Sequence, residues 1–210
     1  MNRRVVAAAA AAAIVVAGSS AYGASITFTT PHLGATALPA PKFYPNSVVA
    51  ANVLTSHQIA NGDTLTVVYS EEMQASSLCT GAATQIGSIS TGTAFTVTIN
   101  NNTGSTGNDV LSINSIPTTD CTDGVLRFGT VDLGSAGYVT TAASFTTSTV
   151  TLTQTATTAT IVFTLNGRTG TFATVASGAA AVYTPNPALT DTAARSIASS
   201  TAVTTATVQF

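Results

Sequence analysis

The residues from which this 210-residue chain could build a chemical site are two cysteines, two histidines and eight acids. Cys79 and Cys121 carry the sharpest chemistry. Two cysteines in an exported chain form a disulfide, the alternative being two free thiols. A redox role calls for a CxxC spacing, which this pair lacks. The acids offer oxygen ligands, and calcium takes about six to eight of them. Asp120 and Asp123, flanking Cys121 in TDCTDG, are the foremost candidates, with Glu71, Glu72 and Asp191 beside them. No D-x-D-x-D-G loop gathers them, so Asp123-Gly124 reads more simply as a turn and Glu71-Glu72 as a solvated strand exit. A serine nucleophile needs a base held by a third group. His32 lies in a Pro-rich stretch and His57 just before a turn, neither with an acid close by in sequence, and no G-x-S-x-G elbow exists. Two placed carboxylates would make a glycosidase, but aromatic platforms for a sugar are thin: no Trp, five Tyr and eight Phe. The expectation is a chain without catalytic residues and without a cofactor.

Composition narrows the classes further. Charged residues make up 7% of the chain, against roughly 25% in ordinary soluble domains. Six Lys and Arg in total cannot build the basic face that a nucleic acid requires. Arg3 and Arg4 precede an uncharged apolar run, Val5 to Ala17, and then Gly18, Ser19, Ser20 and Ala21. That order is a secretory signal peptide over residues 1–24, with cleavage after Ala21 or after Ala24. The run is short of the about 20 residues that span a membrane, and no second one follows, so no span is expected after cleavage. The mature chain would keep Lys42, Arg127, Arg168 and Arg195 against all eight acids. It is expected to be secreted or to sit at the cell surface.

The elements that would position any site are strands. Residues 25–46 hold Pro31, Pro39, Pro41 and Pro45 and read as an extended lead-in, with one short strand in SITFTT at Ser25–Thr30. From residue 47 the dominant period is two. The alternating runs are Asp63–Tyr69, Ala94–Asn100, Val110–Ile113, Val125–Val131, Thr149–Thr153, Thr160–Leu165 and Ala202–Phe210. Asn61-Gly62-Asp63, Asn100 to Gly104, Asp123-Gly124 and Asn166-Gly167 supply turns. Helical turns are expected only in Glu71–Leu78 and Thr190–Ser199. Threonine is the commonest residue, 41 of 210, and suits the solvent side of a pleated sheet. The fold class is therefore all-β, an antiparallel sandwich over residues 47–210. One sandwich is preferred over two divided near Thr146.

Three segments together resemble a known family. Gly62–Met73 reads GDTLTVVYSEEM, Val182–Pro185 reads VYTP, and Leu189–Ser199 reads LTDTAARSIAS. This arrangement is similar to the bacterial Ig-like repeats of the SwmB type found in large secreted surface proteins. The resemblance implies an Ig-like β-sandwich and a structural or adhesive role at the cell surface, with no catalytic residues to carry over. A protein or a glycan at that surface is the implied partner. Three other readings stand beside it: a lectin-like sandwich binding a carbohydrate or other ligand, a secreted hydrolase, and an outer-membrane barrel suggested by the terminal Phe210. Asn101-Asn102-Thr103 matches a glycosylation sequon and reads as a polar hairpin loop. Ser25–Thr30 and Ala202–Phe210 carry no charged side chain, so self-association through terminal strands is a further expectation.

Overall fold

Alternating burial organises the strands. In Thr158–Thr164 every second side chain is buried, and Thr64–Tyr69 repeats the pattern. The computed structural model describes residues 42–54, 56–82, 88–90, 95–103, 107–116, 121–176, 180–198, 203–204 and 210. In chain order these form β1 (Pro45–Ala51), β2 (Thr64–Tyr69), the four-residue helix α1 (Ala75–Leu78), β3 (Ser88–Ser90), β4 (Phe95–Asn100), β5 (Val110–Ser115) and β6 (Gly129–Asp132). There follow β7 (Ala143–Thr155), β8 (Thr158–Thr164), β9 (Arg168–Thr169), β10 (Val182–Pro185) and β11 (Val203–Thr204). The segments expected to form a signal peptide and the SITFTT strand, together with His32 and Asp120, lie outside the described residues.

All pairings are antiparallel, and the main path runs β1-β2-β8-β7-β4-β5-β6-β10-β11, with β3 and β9 added onto β7. The all-β, antiparallel expectation is met. The closure differs from two separate stacked sheets, because β7 belongs to both halves. Thr149–Thr155 pairs with β8, whereas β4 and β9 pair with the segment from Ala143 to Ser148. At the changeover Ser148 is buried, and its hydroxyl accepts from Asn166 N–H at 3.3 Å. The neighbouring ladder slips at Thr96/Val97 in β4, the kind of irregularity that turns a sheet through a corner. Thr146 therefore sits inside a continuous strand. The path bends round until β11 lies alongside β1. Nine strands of alternating direction leave the first and last pointing the same way, and among the described residues no ladder joins them. The result is a nearly closed, barrel-like sheet.

One apolar core, running from Phe43 to Phe210, fills the interior. A chain of rings crosses it: Phe95 to Phe163 (5.9 Å between centroids), Phe163 to Phe128 (4.5 Å), Phe128 to Tyr183 (4.7 Å), Tyr183 to Tyr69 (6.4 Å) and Tyr69 to Phe43 (5.6 Å). The two tyrosine hydroxyls meet at 2.6 Å, and Tyr183 donates onward to the Phe128 carbonyl at 2.6 Å. These buried hydroxyls are thereby satisfied. Burial pushes the pKa of both phenols above their ordinary range.

Several local expectations are corrected. β1 begins at Pro45, within the stretch read as a lead-in, and its ladder slips between Pro45 and Ser47, where proline offers no N–H. Of Glu71–Leu78 only Ala75–Leu78 is helical. The strand expected from Val125 starts at Gly129, since Leu126 is instead bridged to Cys79 and Arg127 N–H donates to Leu78 O. Thr190–Ser199 forms no helix as far as it is described. Asp191 turns its carboxylate back onto the N–H groups of Ala193 (3.0 Å) and Arg195 (2.8 Å), with Ala194 left-handed at φ 59°. An Asp side chain that captures its own backbone in this way competes directly with helix.

Candidate functional site

Six of the eight acids accept bonds that hold loops or neighbouring side chains in place. Asp63 is buried at the start of β2 and accepts from Val53 N–H (2.9 Å) and Ala60 N–H (2.7 Å). Burial is the largest influence on its carboxyl and raises the pKa, against the pull of those two N–H groups and of Arg168. Asp109, also buried, gathers three N–H groups, from Asn102, Gly137 and Val139, each at 3.0 Å. Asp132 accepts from Asn108 Nδ2 and Gly134 N–H, both at 2.9 Å. Asp191 is clasped by Arg195 at 2.5 Å, and the same guanidinium reaches Glu71 at 2.5 Å. Asp123 bonds to Arg127 and accepts from the Thr80 hydroxyl at 2.8 Å. Carboxylates held this way are already occupied as acceptors.

Of the calcium candidates among the described residues, Asp123, Glu71 and Asp191 are engaged otherwise. Asp120 lies outside the described residues, Asp123 is engaged with Thr80 and Arg127, and Glu71 and Asp191 share Arg195. The described part of Glu72's role is its carbonyl, which accepts from Thr192 N–H at 3.3 Å. Among the described residues no three His, Cys, Asp or Glu side chains converge on one point. His57 occupies a left-handed turn position, φ 65°, and its carbonyl receives Val175 N–H at 2.9 Å. Cys79 and Cys121 are joined in a disulfide, both fully buried. The bridge sits above the Thr80–Asp123–Arg127 cluster, where Thr122 N–H also donates to Thr80 O at 2.8 Å. Asn101 turns its amide nitrogen to Thr140 O at 2.8 Å, so the sequon asparagine is tied to the protein.

The Asp123 cluster has a pH signature. The Thr80 hydroxyl, and after it Arg127, hold the Asp123 carboxyl below its ordinary 3.8. A lowered folded pKa gives stability that is fully present above 3.8 and is lost as pH falls through the lowered value. The urea midpoint of the wild type is expected to exceed that of Asp123→Asn at neutral pH, and the gap is expected to close in strong acid. A gap that persists unchanged to the lowest pH would overturn this role.

The most regular feature of the surface is the outward side of β2, β8 and β7. Ladder register aligns Thr64, Thr164 and Thr149 in one row, Thr66, Val162 and Thr151 in the next, and Val68, Thr160 and Thr153 in the third; Thr158 and Thr155 close the series. β1 extends the rows with Ala51, Val49 and Ser47. The partners between them in sequence, such as Leu65, Ile161 and Leu152, point into the core. Nine threonines and no charged side chain occupy the rows across these three strands. Adjacent strands set a spacing of ~4.8 Å and alternate residues one of ~6.8 Å. Thr66 and Thr151 make no side-chain hydrogen bond to other described residues. β-branching restricts each threonine at χ1, so hydroxyl and methyl are held in fixed directions. Sequence alone places these threonines on the solvent side, since TLT and TVTLTQT alternate. It does not reveal that β2, distant in the chain, comes into register with the β7–β8 hairpin and aligns them.

At the tip beside this face, Val49, Val53 and Leu54 are exposed and line a depression of about 460 Å³. No helix among the described residues is long and apolar enough to cross a membrane. No family model, no curated protein and no solved structure matches the chain, so neither a fold family nor a function comes to it by similarity.

Proposed function

We propose that the chain is an exported, non-catalytic module of the SwmB-like Ig type, acting as a structural or adhesive element at the cell surface. The observation that carries this reading is the division of labour among its polar groups. Carboxylates are spent on loops and ion pairs, while the broad outward face is uncharged and threonine-rich. Such a protein presents a surface and not a reaction centre. Export is supported by the Arg3-Arg4 start with its apolar run, and the buried disulfide suits an oxidising compartment. The Ig-like assignment draws support from the meeting of its three quoted segments. Tyr69 and Tyr183 bond in the core, Met73 bridges to Asp191, and Glu71 pairs with Arg195.

The rival readings have less behind them. A sugar-binding face would display aromatic rings, yet Tyr69 and Phe163 of the same strands point inward. An outer-membrane barrel carries its apolar side outward and a polar lumen; here the apolar side chains fill the interior, Phe210 included.

Deletion of the gene from its native cells tests the proposal. Surface attachment under flow is expected to fall while growth rate stays level, and the protein is expected in the medium or in a protease-shaved surface fraction of the parent. Unchanged attachment, or protein confined to the cytosol, would overturn it.

A further inference from the structure

The regular threonine face raises the question of what could match it. We infer that the outward side of β2, β8 and β7 binds ordered water at the surface of ice. A ligand for this face must itself be uncharged and periodic, because the rows of β2, β8 and β7 carry no charged or aromatic side chain to anchor anything else. Apart from Thr155 and Thr158, whose hydroxyls bond each other at 2.8 Å, each threonine presents a methyl that water must cage and a hydroxyl that fixes the cage, repeated at ~4.8 Å by ~6.8 Å. Stiff χ1 rotamers mean little side-chain freedom is lost when that water becomes ordered. A crystalline water surface repeats on the same scale.

Area and chemistry select against other occupants. With β1 counted, four strands by up to four rows at those spacings cover about 500 Å², short of the about 800 Å² that each partner buries in a specific protein complex. A soluble protein would gain too little from the face alone. An ice front is different, since its ligand is unlimited in extent and stays in contact as the crystal grows. Polysaccharide crystallites are disfavoured by the absence of aromatic side chains from the rows. Sheet twist, roughly 20–25° between neighbouring strands, restricts the lattice match to the central strands. The expected activity is therefore inhibition of ice recrystallisation with little depression of the freezing point.

The inference rests on this face being the module's working surface, but its test uses purified protein and is independent of cell attachment. Full-length mature protein is annealed in frozen sucrose solution, with an unrelated protein at equal mass as reference. Wild type is expected to keep ice grains small and to be taken into a growing ice hemisphere when fluorescently labelled. Thr151→Lys, in the central row, is expected to lose both effects with its melting temperature unchanged. Thr130→Lys, exposed on β6 away from the face, is expected to keep both. Grain growth unaffected by wild type would overturn the inference whatever the variants do. So would full activity in a folded Thr151→Lys, or an equal loss in Thr130→Lys. If Thr151→Lys does not fold, Thr66→Tyr in the same row replaces it, with the same two outcomes.

Discussion

Replacing Cys79 and Cys121 together with alanine is expected to lower the melting temperature by about 8–16 °C, as read by circular dichroism without reductant. The two residues are 42 apart in sequence, and removing a cross-link of that span returns to the unfolded chain an entropy worth about 4 kcal/mol. For a chain of this length each kcal/mol moves the midpoint by roughly 2–4 °C. The bridge also fastens a region with little regular structure, since α1 has four residues and the segment around Leu126 joins no strand, being held by an isolated β-bridge and the bonds around Thr80 and Asp123. Both sulfurs are fully buried, so reductant is expected to act slowly on the native protein and quickly once urea opens it. A double variant that melts with the wild type would overturn a stabilising role for the bridge.

Phe163→Ala is expected to cost about 3–5 kcal/mol, the range for truncating a buried phenylalanine. Phe163 stands second in the ring chain, edge-on to Phe95 on one side and to Phe128 on the other. Aromatic pairs of this kind add about 0.5–1.5 kcal/mol beyond area burial. Its strand pairs on both flanks, with β2 and with β7, so the backbone cannot collapse into the space left behind. Chemical denaturation measures the loss from the urea midpoint at constant slope. Phe163→Leu, which keeps most of the volume, is expected to lose markedly less. Equal losses for the two variants would show that ring packing is not what matters at this position.

Strands whose alternation has one buried side were legible from the sequence. Asp63–Tyr69, Ala94–Asn100 and Thr160–Leu165 correspond closely to β2, β4 and β8 because Leu, Val, Ile and Phe recur every second residue. β1 was obscured by proline: Pro45 starts the strand but reads locally as part of the preceding Pro-rich stretch. The path through β7 was hidden for a different reason. Its thirteen residues run on as one strand, but the alternation shifts phase at the exposed pair Thr146-Thr147, where a run of threonine and serine carries no apolar contrast to show in the sequence that the partners change midway. Asp63 and Asp109 escaped notice as loop anchors because an aspartate ahead of a strand looks the same whether its carboxylate meets water or buried N–H groups. The disulfide was legible from the cysteine count together with the expectation of export. The threonine face was half legible, its side known and its register not, because register depends on turns and bulges between distant segments.

The parallel course of β1 and β11 bears on how the molecule responds to mechanical load. A pull on the chain entering at Pro45 and leaving beyond Thr204 acts at opposite ends of two neighbouring strands. Tension then runs along β1 and loads its six-pair ladder with β2 in shear. Hydrogen bonds in shear share the force and must break together, whereas strands pulled from one end unzip a bond at a time. A chain built this way resists a pull on its two ends with the whole length of a strand.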